Sequence, residues 1–416
     1  LFWHHHFGKV AAFWALATLV PMGIVHGLPT VGAGLAHTLL DEYIPFIVLL
    51  VALFTAAGGI YVRGNLRGSP GTNVAIMVVG ALLASVMGTT GASMLMIRPL
   101  IRANDNRRHV AHVVIFFIFV VSNAAGSLTP LGDPPLFLGF LKGVEFFWTL
   151  RHLLPETAAL VVVLLVIFYA IDSHQFRKEG VLARDPTPDT ERIGLDGAVN
   201  FLPLAAVVAL VLLSGTWKPG ISFDVLGTEV ELQQIVRDGL LVVVTFVSLA
   251  ITPRGVRTRN QFTWAPMQEV AKLFIGIFVT MGPVLLMLRA GDAGPFGAVA
   301  RAVTSADGQP LPWAYFWLSG ALSSFLDNAP TYLVFFNLAS GDATVLMTTL
   351  APVLAAISAG SVFMGANSYI GNAPNFMVKA IAEERGIAMP SFFGYMAWAG
   401  VILVPLFVVL TFVFFR

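Results

Sequence analysis

The chain has 416 residues, 57% of them hydrophobic and 11% charged, with no cysteine and a formal net charge of +1. Soluble domains run at about 45–50% apolar and about 25% charged residues, so this composition excludes a soluble enzyme, a disordered chain and a nucleic-acid binder; the absence of cysteine excludes disulfide staples and thiolate metal sites. What remains is an all-α polytopic membrane protein, because the apolar runs are too long and too little alternated for a β-barrel, whose strands alternate over about ten residues.

A spanning helix needs about 20 largely apolar residues. Runs that meet this are 10–28, 40–62, 109–128 continuing through 135–149, 153–173, 198–215, 237–252, 266–289, 345–365 continuing through 374–385, and 391–415. Two others, 73–101 and 312–339, are interrupted halfway, by Gly88-Thr89-Thr90-Gly91-Ala92-Ser93 and by Asp327-Asn328-Ala329-Pro330-Thr331. Each predicts a re-entrant hairpin of two half-length helices around a polar tip. Basic loops mark the cytoplasmic side. Arg63 and Arg67 precede the first hairpin, Arg98, Arg102, Arg107 and Arg108 follow it, and the loop 174–197 holds Arg177, Lys178, Arg184 and Arg192. The segments around the second hairpin carry Asp292, Asp307 and Asp342 and are placed outside. The two hairpins therefore enter from opposite sides.

Residues 1–173 and 198–416 resemble one another, with 174–197 as a cytoplasmic linker between two membrane halves. The tip at Thr89–Ser93 lies 238 residues before Asp327–Thr331, and Gly132-Asp133-Pro134-Pro135 lies 239 before Gly371-Asn372-Ala373-Pro374. Each half reads as helices, a hairpin, a broken helix and a last helix, one half upside down relative to the other. The helix 198–215 has no counterpart in the first half, so a further helix is expected upstream of Leu1. Inverted repeats with discontinuous helices are the architecture of secondary transporters, whose half-helix N-termini favour anions and whose freed carbonyls favour cations.

The chemistry is expected at the breaks. The first offers Asn123, Ser127, Thr129 and Asp133; the second offers Asn367, Ser368, Asn372 and Asn375; the tips add Thr89, Thr90, Ser93, Asp327, Asn328 and Thr331. Neutral oxygens and carboxylates suit hard cations such as Na⁺. Asp133 and Asp327 are the acidic residues placed near mid-membrane, where a carboxylate is costly and marks function by default, which makes them the Na⁺ ligands. The alternative is that each only caps the helix that follows it. Lys142 and Lys379 read as snorkelling to an interface, Asp41 and Glu42 as the outer end of their helix, and His109 and His112 as solvated. No phosphate loop or metal-ligand spacing is present, so no cofactor is expected beyond Na⁺ and H⁺ as transported or coupling ions.

Ser122–Pro135, Asp327–Thr331 and Gly365–Asn375 resemble the ion transporter superfamily, in particular NhaD-type sodium/proton antiporters and the bacterial citrate transporter family. The resemblance implies a homodimer in the bacterial inner membrane, with hairpins and broken helices moving against a scaffold. The dicarboxylate branch has Ser-Asn-Thr at its tips; here they read Thr89-Thr90-Gly91 and Asp327-Asn328-Ala329, with carboxylates added at Asp327 and Asp133. That departure points to exchange of Na⁺ or Li⁺ for H⁺. The alternative is symport of citrate or another small organic anion with Na⁺ or H⁺.

Overall fold

A computed structural model describes residues 2–64, 66–180, 185–186, 192–289 and 294–416. Arg184 and Asp292, named above, lie outside them. Among the described residues nine helices are long and apolar enough to cross a membrane.

Helix α1 (Phe2–His26) ends at Gly27, whose φ of +83° turns the chain into α2 (Leu28–His37). A π turn at Thr38–Tyr43 carries α2 without a gap into α3 (Ile44–Gly58). The second span is thus one rod of 31 residues from Leu28, not a helix starting at 40. Next come α4 (Pro70–Met87) and α5 (Thr89–Ala103), which fold against each other about Gly88 at φ +81°. With 18 residues, α4 is about 27 Å long, more than the half-length arm expected.

Helix α6 (Ala111–Val120) unwinds through a 3₁₀ turn at Ala124–Leu128, and α7 (Pro134–Leu141) resumes after it. The predicted run 135–149 stops at Leu141, because Gly143 takes φ +102° and turns the chain. Helix α8 (Trp148–Glu179) then extends past the expected start of the linker at 174. The linker's far end is not free loop: β1 (Tyr61–Arg63) pairs antiparallel with β2 (Gly194–Asp196).

After α9 (Phe201–Thr216), a hairpin of β3 (Ser222–Val225) and β4 (Thr228–Glu231) turns through Leu226 and Gly227, both at positive φ. This is the backbone a two-residue hairpin turn demands. The chain continues through α10 (Leu232–Ile251), α11 (Val256–Arg259), α12 (Ala265–Arg289) and α13 (Gly297–Ala302). A second helix pair follows, α14 (Pro312–Ser323) and α15 (Asn328–Ala339), each of 12 residues and about 18 Å, too short to cross a bilayer alone. Then come α16 (Ala343–Met347), α17 (Ala351–Phe363), a 3₁₀ turn at Met364–Asn367, α18 (Ala373–Glu384) and α19 (Phe392–Phe414). The expected run 345–365 is therefore two helices.

The centre of the molecule is α6 and α17. From Val113 to Val121 and from Val353 to Phe363 every residue is buried. Small residues let the neighbours close in, as in membrane bundles generally: a Cβ on Gly360 would lie 2.4 Å from the Phe316 carbonyl of α14. Exposed apolar side chains gather on α8, α10 and α19, for example Val166, Phe246 and Phe412, as suits faces turned to lipid.

Candidate functional site

Both breaks arise from sequence chemistry. Pro134 and Pro374 sit in the first turns of α7 and α18, where a missing N–H costs nothing. Unwound backbone at membrane depth must find partners within the protein. Here the Gly126 N–H bonds the Asn123 carbonyl at 2.8 Å, and the Gly132 carbonyl accepts from the Thr89 N–H at 2.8 Å. Two glycines allow each break to cross itself. A Cβ on Gly132 would stand 2.2 Å from the Gly126 carbonyl oxygen, and one on Gly371 would stand 2.6 Å from that of Gly365. Gly132→Ala is therefore expected to lower the thermal midpoint, as a melting curve would show.

The side chains meet at Asp133, which is fully buried. Its Oδ1 accepts from the Thr89 hydroxyl at 2.8 Å and from Asn372 Nδ2 at 3.1 Å, and its Oδ2 accepts from Asn328 Nδ2. All three donors are neutral. The carboxylate does not cap its own helix, so the capping role alone fails for Asp133. Four helices begin at this one group. Asp133 and Asn372 are the N-cap residues of α7 and α18, and Thr89 and Asn328 are the first residues of α5 and α15. Helix N-termini carry partial positive charge.

A ring of amides surrounds it. Asn372 also donates to the Ser122 carbonyl, and Asn123 donates to Asn375 Oδ1 at 2.7 Å. Asn375 in turn donates to the carbonyls of Gly365 and Ser368. Ser93 and Ser122 share a hydrogen bond of 2.8 Å. The Oδ1 of Asn328 is buried without a partner.

Asp327 behaves differently. It caps α15, accepting from the Ala329 N–H at 3.1 Å, and makes no hydrogen bond to Asp133, although the two carboxylates lie within electrostatic range. Asp327→Ala is expected to cost about 1 kcal/mol of stability and Asp327→Asn almost nothing, a difference readable by thermal unfolding. Among the described residues no cluster of three or more acidic or histidine side chains is arranged to hold a metal ion.

Other predicted residues serve the frame. Thr331 donates to the Asp327 carbonyl, and Ser127 pairs with Thr157 of α8 at 2.6 Å. Thr129 donates to the Ser85 carbonyl and Ser368 to the Ser324 carbonyl, while Asn367 bonds the Ser324 hydroxyl. Thr90 is half-buried.

These frame bonds recur in the two halves. Ser85 donates to the Ala125 carbonyl and Ser324 to that of Met364. Together with the Thr129 and Ser368 bonds they match at 239 residues, the separation of Asp133 from Asn372. The tips match at the same offset, Gly88 with Asp327 and Thr89 with Asn328. The offset of 238 expected there is one residue short, because each second arm starts immediately after its N-cap residue.

The structure also shows what the sequence did not. A second buried polar cluster centres on Asp172 of α8. It accepts from Arg107 Nη2 at 2.7 Å, His112 Nε2 at 2.8 Å and Asn73 Nδ2 at 2.9 Å; Asn104 pairs with Asn73 and with Arg107. His112 is thus buried, not solvated, while His109 is exposed as expected. Lys142 pairs with the buried Glu42 in the π turn, and Lys379 pairs with Glu383 at 2.7 Å. Glu156 is a further buried carboxylate in α8.

No curated protein matches the chain. A family model described as Putative citrate transport matches residues 1–415. The breaks, the helix-start carboxylate and this match over nearly the whole length agree, and the chain belongs to that transporter family.

Proposed function

We propose that this membrane transporter carries a small organic carboxylate such as citrate, coupled to Na⁺ or H⁺. The two helix pairs are read as hairpins entering from opposite sides, and the halves as inverted repeats; the bonds that recur at 239 residues support that reading. The observation that carries the function is the start of four helices at one buried carboxylate. Their positive ends form an anion site, and Asp133 is the anion already resident. While Asp133 is charged it repels a second carboxylate. A Na⁺ or H⁺ at Asp133 removes that repulsion, and the helix ends, with Thr89, Asn328 and Asn372, can then hold the substrate. Cation and anion are coupled because one binds only after the other.

A second reading is exchange of Na⁺ or Li⁺ for H⁺, favoured by Asp133 and Asp327 in electrostatic range of each other. The family resemblance supports a homodimer in the bacterial inner membrane. Proteoliposomes separate the two readings. Uptake of labelled citrate driven by an imposed Na⁺ or H⁺ gradient supports symport. Proton movement on adding Na⁺ or Li⁺ with no organic anion present, and no citrate uptake, supports exchange.

A further inference from the structure

Among the described residues no carboxylate makes a hydrogen bond or ion pair with Arg98 of α5. Arg98 is only 7% exposed. Its Nη1 donates to the Met94 carbonyl and its Nη2 to Gln261 Oε1, both at 3.3 Å, and its Nε is buried with no partner. Every acceptor is neutral and every bond long. A buried charge satisfied only in this way is costly. Of the charged groups in electrostatic range, Arg385 and Arg102 share its sign and Glu384 opposes it.

Arg102 shows the same surplus. Its terminal nitrogens bond the Tyr61 hydroxyl and the Val62 carbonyl, and its Nε is buried and unpartnered. Gln261 reaches Arg98 from a backbone at φ +49°, a left-handed conformation that a residue with a side chain adopts at a cost. A planar guanidinium with free N–H edges is the group that holds carboxylates in pairs of parallel hydrogen bonds.

We propose that Arg98, flanked by Arg102 and Arg385, is a second carboxylate-binding site, separate from the Asp133 centre. It lies nine residues along α5 from Thr89, about 13 Å, toward the C-terminal end of that helix. It serves as a docking point where the transported anion waits on one side of the membrane, replacing the Gln261 amide on Arg98. The proposal rests on the carboxylate reading above.

The test is calorimetric titration of citrate into the whole detergent-purified protein, with transport measured separately from each face of oriented proteoliposomes. The expected result is two citrate sites, with Arg98→Gln removing one. That variant raises the half-saturating citrate concentration about tenfold from one face only, and Arg98→Lys restores part of the loss. Arg385→Gln, at an exposed position, gives a smaller one-sided rise and guards against misfolding of the Arg98 variant. If both glutamine variants leave citrate binding and both faces unchanged, or shift both faces equally, the docking site is overturned. One citrate site that is lost in Arg98→Gln and indifferent to Asp133→Asn would retain the arginine site and reject the central one. Absence of any citrate binding would reject both.

Discussion

Asp133→Asn is expected to reduce gradient-driven uptake to background while leaving the protein folded and able to bind citrate. The fold should tolerate the change. Asparagine keeps an oxygen for Thr89 and Asn372, and its new N–H₂ faces Asn328, whose Oδ1 is buried without a partner and can accept after an amide flip. The ion should not tolerate it. Removing one member of a buried ion pair costs about 3–5 kcal/mol, so Na⁺ affinity should fall by at least about two orders of magnitude. A flux assay with and without a Na⁺ or H⁺ gradient, beside a melting curve, checks both halves. Uptake that still follows the gradient in this variant would remove Asp133 from the mechanism.

Arg107→Ala should have the largest effect on stability. Arg107 and Asp172 have no exposed side-chain surface, and their 2.7 Å contact joins the segment after α5 to α8. Truncating the arginine leaves the buried Asp172 with His112 and Asn73 as its remaining partners and takes from Glu179 its ion-pair partner at 3.6 Å. The expected loss is about 3–5 kcal/mol. Asp172→Asn in the same background should recover part of it, because the charge stranded at position 172 is then gone while that of Glu179 remains. Thermal unfolding of the three proteins measures this, and equal midpoints for wild type and Arg107→Ala would show that the pair does not hold these helices together.

Much of the architecture was legible because proline and glycine act locally. Pro134, Pro374, Gly132 and Gly371 announce the two breaks, and the polar tips announce the two helix pairs. Asp133 was legible because a carboxylate inside an apolar run has few structural uses. Length was less so: apolar composition does not reveal Gly27 or Gly143, whose positive φ ends one helix and shortens another. The tip register was missed by one residue because Gly88 and Asp327 share a capping position but no side-chain chemistry. The Asp172 cluster was invisible for a different reason. Residues 73, 104, 107, 112 and 172 sit near helix ends, where charge usually means solvent, and only packing brings them together. Glu42 and Lys142 met in the same way, across a hundred residues.

In the proposed mechanism Asp133 decides, by its charge, whether the helix ends can take a carboxylate. The most direct measurement is citrate affinity by calorimetry, as a function of Na⁺ concentration and pH, for wild type and Asp133→Asn. Wild type is expected to bind more tightly as Na⁺ rises or pH falls, whereas the neutral variant binds with an affinity independent of both. Citrate binding that is equally tight in wild type with and without Na⁺ at every pH, or a variant that keeps the wild-type cation dependence, would contradict it.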